Sequence, residues 1–150
     1  MDAVTYPHPQ AVAFFANYLV PVRVLATSTA LPQRFKVHWT PTLVLLDADG
    51  EEHYRTVGFL PPEELIPTLM LGIAKSYFER GQYAPAAQFL EQLLAAYPKS
   101  AAAPEATYYL GVTRYKDTHN PGALKQTAEA LQTNYPESEW AKRASVYRLL

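Results

Sequence analysis

Ala96-Tyr97-Pro98-Lys99-Ser100 recurs as Asn134-Tyr135-Pro136-Glu137-Ser138, and each copy is followed by an alanine, at Ala102 and Ala141. The two prolines stand 38 positions apart. Self-similarity at such a period marks stacked supersecondary units, each too small to bury its own apolar face. Helical periodicity surrounds both copies. Residues 69–80 read as one amphipathic helix, Gly81-Gln82-Tyr83 as a tight turn, and 84–97 as a second helix stopped by Pro98. Residues 103–116 read as a third helix, 117–121 as a loop, 122–135 as a fourth helix stopped by Pro136, and 139–150 as a fifth.

Within this half Ala74, Tyr77, Gly81, Tyr83, Ala86, Leu90, Leu93 and Pro98 resemble the tetratricopeptide repeat. A second repeat follows in Leu110-Gly111, Ala128, Leu131 and Pro136, with Arg114 at the usual aromatic position and Asn120-Pro121-Gly122 in place of the usual turn. The 38-residue spacing exceeds the period of about 34, and a longer connection before the second hairpin absorbs the excess. The resemblance implies that the first helix of each hairpin lines a groove. That brings forward Lys75, Phe78 and Glu79 from one repeat and Tyr108, Val112 and Tyr115 from the next as residues that hold a protein or peptide partner. Trp140, Val146 and Leu149 are expected to cap the last pair.

Before residue 67 the pattern differs. Residues 9–19 carry apolar side chains at helical spacing, 20–25 read as a short β-branched strand, and 29–35 as one or two helical turns. Residues 42–46 and 53–59 read as strands of a hairpin, joined by the turn Asp47-Ala48-Asp49-Gly50. Pro61-Pro62 followed by Glu63-Glu64 marks a helix start. Pro67 lacks the amide for the next intrahelical bond, so a restart is expected there. The boundary is placed at that point, giving units 1–67 and 68–150.

The run His38-Trp39-Thr40-Pro41-Thr42, followed by a strand, Asp49-Gly50, a second strand and Gly58-Phe59, resembles the thioredoxin family at its cis-proline turn. The resemblance covers about residues 1–67 and implies a cis bond before Pro41, with Thr40, Pro41 and Thr42 as a recognition turn. It also implies a strand and a Cys-x-x-Cys motif ahead of residue 1, the strand lying between 20–25 and 42–46. Neither is in this sequence. The chain reads as a fragment begun at an internal methionine, the alternative being a degenerate domain that closes its sheet differently. In both cases an unpaired sheet edge is left that favours homo-oligomers.

The chain of 150 residues is 49% apolar and 18% charged with a net charge of -1, a folding composition. It carries no Lys/Arg cluster, so nucleic acid is not an expected partner. No apolar run approaches the ~20 residues of a membrane span, and no secretory signal is visible, so the chain reads as cytoplasmic and without membrane contact. Cysteine is absent, which removes thiol nucleophiles, disulfides and thiolate-held metals. His8, His38, His53 and His119 are scattered without ligand spacing, Asp47 and Asp49 read as turn formers, and Ser28, Ser76 and Ser100 lack the glycine-flanked elbow of a hydrolase. No cofactor and no enzymatic activity are expected. The expected fold is α+β: an incomplete thioredoxin-like α/β unit followed by an all-α array of tetratricopeptide-like hairpins. Its expected function is protein interaction, the alternative being a fragment of a disulfide reductase or redox-linked chaperone.

Overall fold

A computed structural model describes residues 1–28 and 30–150. The first helix, α1 (Pro9–Tyr18), opens on a proline in its first turn, where the missing amide costs nothing. A short helix, α2 (Ala30–Arg34), comes next. Thr29, the first residue of the expected turn, lies outside the described residues. The hairpin β1 (Thr42–Leu46) and β2 (Glu52–Val57) is antiparallel, and the Thr40–Pro41 bond is cis, as the resemblance implied.

Residues 20–25 do not form the expected strand. They run without regular structure, with Val20 90% and Val22 77% exposed. The apolar alternation is there, but a strand also needs a neighbour for its amides and carbonyls. Among the described residues the sheet has two strands, β1 and β2, and neither pairs with 20–25.

Helix α3 (Pro62–Glu79) passes through Pro67 without interruption, where the sequence pointed to a restart. Pro67 is fully buried, and its neighbours Leu65, Ile66, Leu69, Met70, Leu71 and Ile73 are buried too. A helix apolar around most of its circumference stays helical by burial on all sides. Here α1, the hairpin and the two helices that follow cover it, so packing outweighs one lost hydrogen bond.

Helices α4 (Tyr83–Ala96), α5 (Ala103–Thr118) and α6 (Gly122–Asn134) stand within two residues of their expected ends. The repeated pentapeptide is a repeated geometry. Tyr97 and Tyr135 end their helices at nearly the same dihedrals, φ −132°, ψ 52° and φ −139°, ψ 52°. Each tyrosine carbonyl accepts from the serine three residues on, through its amide (3.1 and 3.0 Å) and its hydroxyl (2.9 and 2.8 Å). Ser138 Oγ also accepts from the Ala141 amide at 3.1 Å and so caps α7 (Glu139–Ala144).

The expected fifth helix runs as α only to Ala144 and ends in a 3₁₀ segment, Ser145–Leu149. Of the three expected caps, Trp140 packs on the preceding hairpin, but Val146 and Leu149 are exposed at 56% and 87%. Ala141 and Ala144 of α7 cover Ala128 and Leu131 instead, joined by Tyr147, which the tighter winding of the 3₁₀ segment turns inward. The main core gathers on α3, with Phe14 of α1, Leu43 and Leu45 of β1, Leu90 and Leu93 of α4, and Ala106 and Leu110 of α5.

Candidate protein-binding face

The first helices of the hairpins, α3, α5 and α7, meet side by side. Along α5 the positions Glu105, Tyr109, Val112 and Lys116 share one stripe at helical spacing. Contacts show which way it faces. Glu105 meets Lys75 of α3, and Tyr109 meets Phe78 of α3 and Trp140 of α7. Arg114 lies on the opposite side, paired with Glu91 of α4 at 2.9 Å.

Lys75 is committed to the interior of this face. Its side chain is 18% exposed, its Nζ donates to Glu105 Oε1 at 2.8 Å, and it lies 5.3 and 4.8 Å from the Tyr54 and Tyr109 ring centroids. Burial by itself lowers the pKa of the ammonium, but the Glu105 hydrogen bond and charge outweigh it and hold the group above its ordinary value. Phe78 packs edge-on against Tyr109 at 5.7 Å and tilted against Tyr83 at 5.8 Å. Tyr108 sits 5.1 Å from Trp140 and stacks on Tyr147 at 5.9 Å, with the two tyrosine hydroxyls 2.7 Å apart.

Lys75, Phe78 and Tyr108 thus belong to one network that runs from Tyr54 across α3 and α5 to Trp140 and Tyr147. Tyr54, Phe78, Tyr83, Tyr108, Tyr109, Trp140 and Tyr147 are all half-buried, a wall partly open to solvent rather than a closed core. Tyr115 stands outside it: its ring neighbour is His119, at 6.4 Å. Val112 is half-buried on the stripe. Tyr109 is the joint of the network, and the repeat resemblance does not bring it forward. Its spacing from Glu105 and Val112 was the available signal, but Tyr108 beside it satisfies the same pattern on the neighbouring stripe. Tyr54 had no such signal, because it comes from the hairpin.

The Glu79 carboxylate, 47% exposed, meets His53 Nδ1 at 2.6 Å, and the opposite ring nitrogen meets Asp47 Oδ2 at 3.0 Å. The backbone explains why His53 reaches α3. Leu45 pairs with Tyr54 and Leu46 with Glu52, so His53 is the extra residue of a bulge. The bulge lets two consecutive side chains, His53 and Tyr54, both contact α3, Tyr54 against Gly72 and Lys75.

At the cis-proline turn, Thr42 Oγ1 donates to the Trp39 carbonyl at 2.6 Å and the Gly58 amide to the Pro41 carbonyl at 2.8 Å. Thr40 is exposed, Pro41 and Thr42 are half-buried, and Trp39 and Phe59 flank them at 70% and 59% exposure. No helix among the described residues is long and apolar enough to cross a membrane.

Residues 6–73 match the family model of the thioredoxin-like domain, and residues 68–100 match that of the tetratricopeptide repeat. Both matches include residues 68–73, which lie within α3, so this one helix serves both patterns. No curated protein and no solved structure matches the chain. The chain carries a thioredoxin-like domain followed by a tetratricopeptide repeat.

Proposed function

We propose that the chain is a non-catalytic protein-interaction module whose partner lies on the face of α3, α5 and α7. The carrying observation is the contiguous, half-exposed aromatic wall that these helices share. Aromatic side chains offer large contact area at little entropic cost and dominate protein interfaces. The occupant is an extended or helical segment with apolar anchors, seated over Phe78, Tyr108 and Val112, with Tyr115 at its margin. Glu79 and Lys75 hold the wall in shape. The test is a selection of peptides from a random display library on the immobilised full chain. A shared pattern of apolar anchors supports the reading, and an unrelated set of sequences counts against it.

The uncharged outer edge of β1 supports a second contact. Thr42-Leu43-Val44-Leu45-Leu46 carries neither charge nor proline to discourage strand addition, which favours pairing with another copy of the chain.

A second reading is favoured by the exposed Trp39 and Phe59 that flank Thr40, Pro41 and Thr42. In it these residues hold an unfolded segment for a disulfide reductase or redox-linked chaperone whose thiols lie in a part of the protein ahead of residue 1. The present chain is redox-inactive in both readings, since exchange proceeds through a thiolate and the sequence has no cysteine.

A further inference from the structure

We propose that His53 is a proton-operated latch that ties the β-hairpin to the last turn of α3. Both ring nitrogens face carboxylate oxygens, Nδ1 to Glu79 Oε2 at 2.6 Å and Nε2 to Asp47 Oδ2 at 3.0 Å. A neutral imidazole has one N–H and can serve one of them. Only the imidazolium donates to both, so the geometry is that of the protonated ring. The side chain is 10% exposed, which leaves little water to replace a lost donor.

The surroundings favour the charge. On the hairpin, Asp47, Asp49, Glu51 and Glu52 are all acidic, with Glu52 held by Arg55, and β1 brings no titratable group. Asp47 is itself fixed, its Oδ1 accepting the amides of Asp49 at 3.0 Å and Glu51 at 2.9 Å. From α3 come Glu79 and, one turn back, Lys75, and from its C-cap Arg80. Arg80 stacks over Tyr77 at 5.1 Å and donates to the Ser76 carbonyl, while Lys75 is paired with Glu105. The hydrogen bonds of Asp47 and then Glu79 raise the His53 pKa above its ordinary 6.5 in spite of burial. The His53 bond, with the Glu51 amide, draws Asp47 below the usual carboxylate value.

The sign follows from these directions. A raised histidine contributes stability that is complete below 6.5 and is lost as pH rises through the folded value; a depressed aspartate contributes above its unfolded value and loses it as pH falls through the folded one. The latch is closed from weakly acidic pH to beyond 6.5 and opens above that. When the ring gives up one proton to water, a lone pair faces a carboxylate and that contact parts. The bulge carrying His53 also carries Tyr54, so release of the hairpin lifts Tyr54 off Gly72 and Lys75.

The test is imidazole NMR on the full chain with ¹⁵N-labelled histidine, together with amide exchange corrected for its intrinsic pH dependence. The expected result is a His53 ring with both nitrogens protonated at pH 6.5 that titrates above it. E79Q moves the titration to lower pH, and protection of the β2 amides falls across it. H53Q, checked for helicity, shows no such pH step. A singly protonated ring at pH 6.5, a titration that E79Q leaves in place, or β2 protection indifferent to the proton overturns the latch.

Discussion

The Tyr135 hydroxyl donates to the Pro98 carbonyl across 2.7 Å, so one copy of the repeated pentapeptide touches the other. The repeat seen in the sequence is therefore a contact in the fold: the tyrosine that ends α6 anchors the turn that ends α4. Tyr135→Phe removes the donor and keeps the ring. The expected loss is about 1 kcal/mol, that of one ordinary hydrogen bond. In urea denaturation the midpoint should fall at an unchanged slope, and an unaltered midpoint would count against the contact.

Gly111 sets the approach of α5 to α6. A Cβ there would stand 1.7 Å from Thr127 Oγ1 and 2.6 Å from its Cβ, far inside contact distance. Helix propensity by itself favours Gly111→Ala by about 1 kcal/mol. The overlap costs about 3 kcal/mol, the upper part of the overpacking range, because both helices must move apart. A net loss of about 2 kcal/mol is expected by thermal or denaturant melts, and a gain would show that the hairpin is loosely packed.

Tyr147 carries a prediction at alkaline pH. Burial, together with the hydrogen bond to Tyr108, pushes its phenol up to about 12. The unfolded chain ionises this group near 10, so its contribution is complete below pH 10 and is lost as pH rises to about 12. Ultraviolet titration of the folded chain should show a late tyrosinate step that Tyr147→Phe removes. The variant should also soften the fall in stability between those two values. A late step that persists in the variant would assign it to another tyrosine.

Much of this architecture is local and could be read from residue types. The Tyr-Pro-x-Ser endings, the Asp47–Gly50 turn and the helix α4 need only near neighbours, and they stand where the pattern puts them. Residues 20–25 and Pro67 depend on what lies alongside. A strand pattern without a neighbouring strand stays irregular, and a proline inside the buried middle of a helix does not break it. The same division runs through the binding face. Lys75 and Phe78 on α3 and Tyr108 on α5 follow from the repeat resemblance, which puts the first helix of each hairpin on the face. Tyr54 reaches the face through a bulge whose single extra residue resets the side-chain alternation, and the register of pairing is invisible before the strands meet. The resemblance puts Tyr115 on the same face, yet it lies on the flank beside His119, because one stripe of a helix shades into the next within about a turn.

The central claim is that the face of α3, α5 and α7 holds a protein segment, and the most direct test is a titration of the best selected peptide against three forms of the full chain. One is unaltered, one carries Val112→Arg on the face, and one carries Arg114→Ala on the opposite side of α5, with the melting temperature of each recorded alongside. Val112→Arg should weaken binding by at least about 2 kcal/mol, the level of an interface hot spot, with little change in melting temperature. Arg114→Ala should bind as the unaltered chain does. Affinity that survives Val112→Arg, or that is lost with Arg114→Ala in a folded protein, would contradict the account.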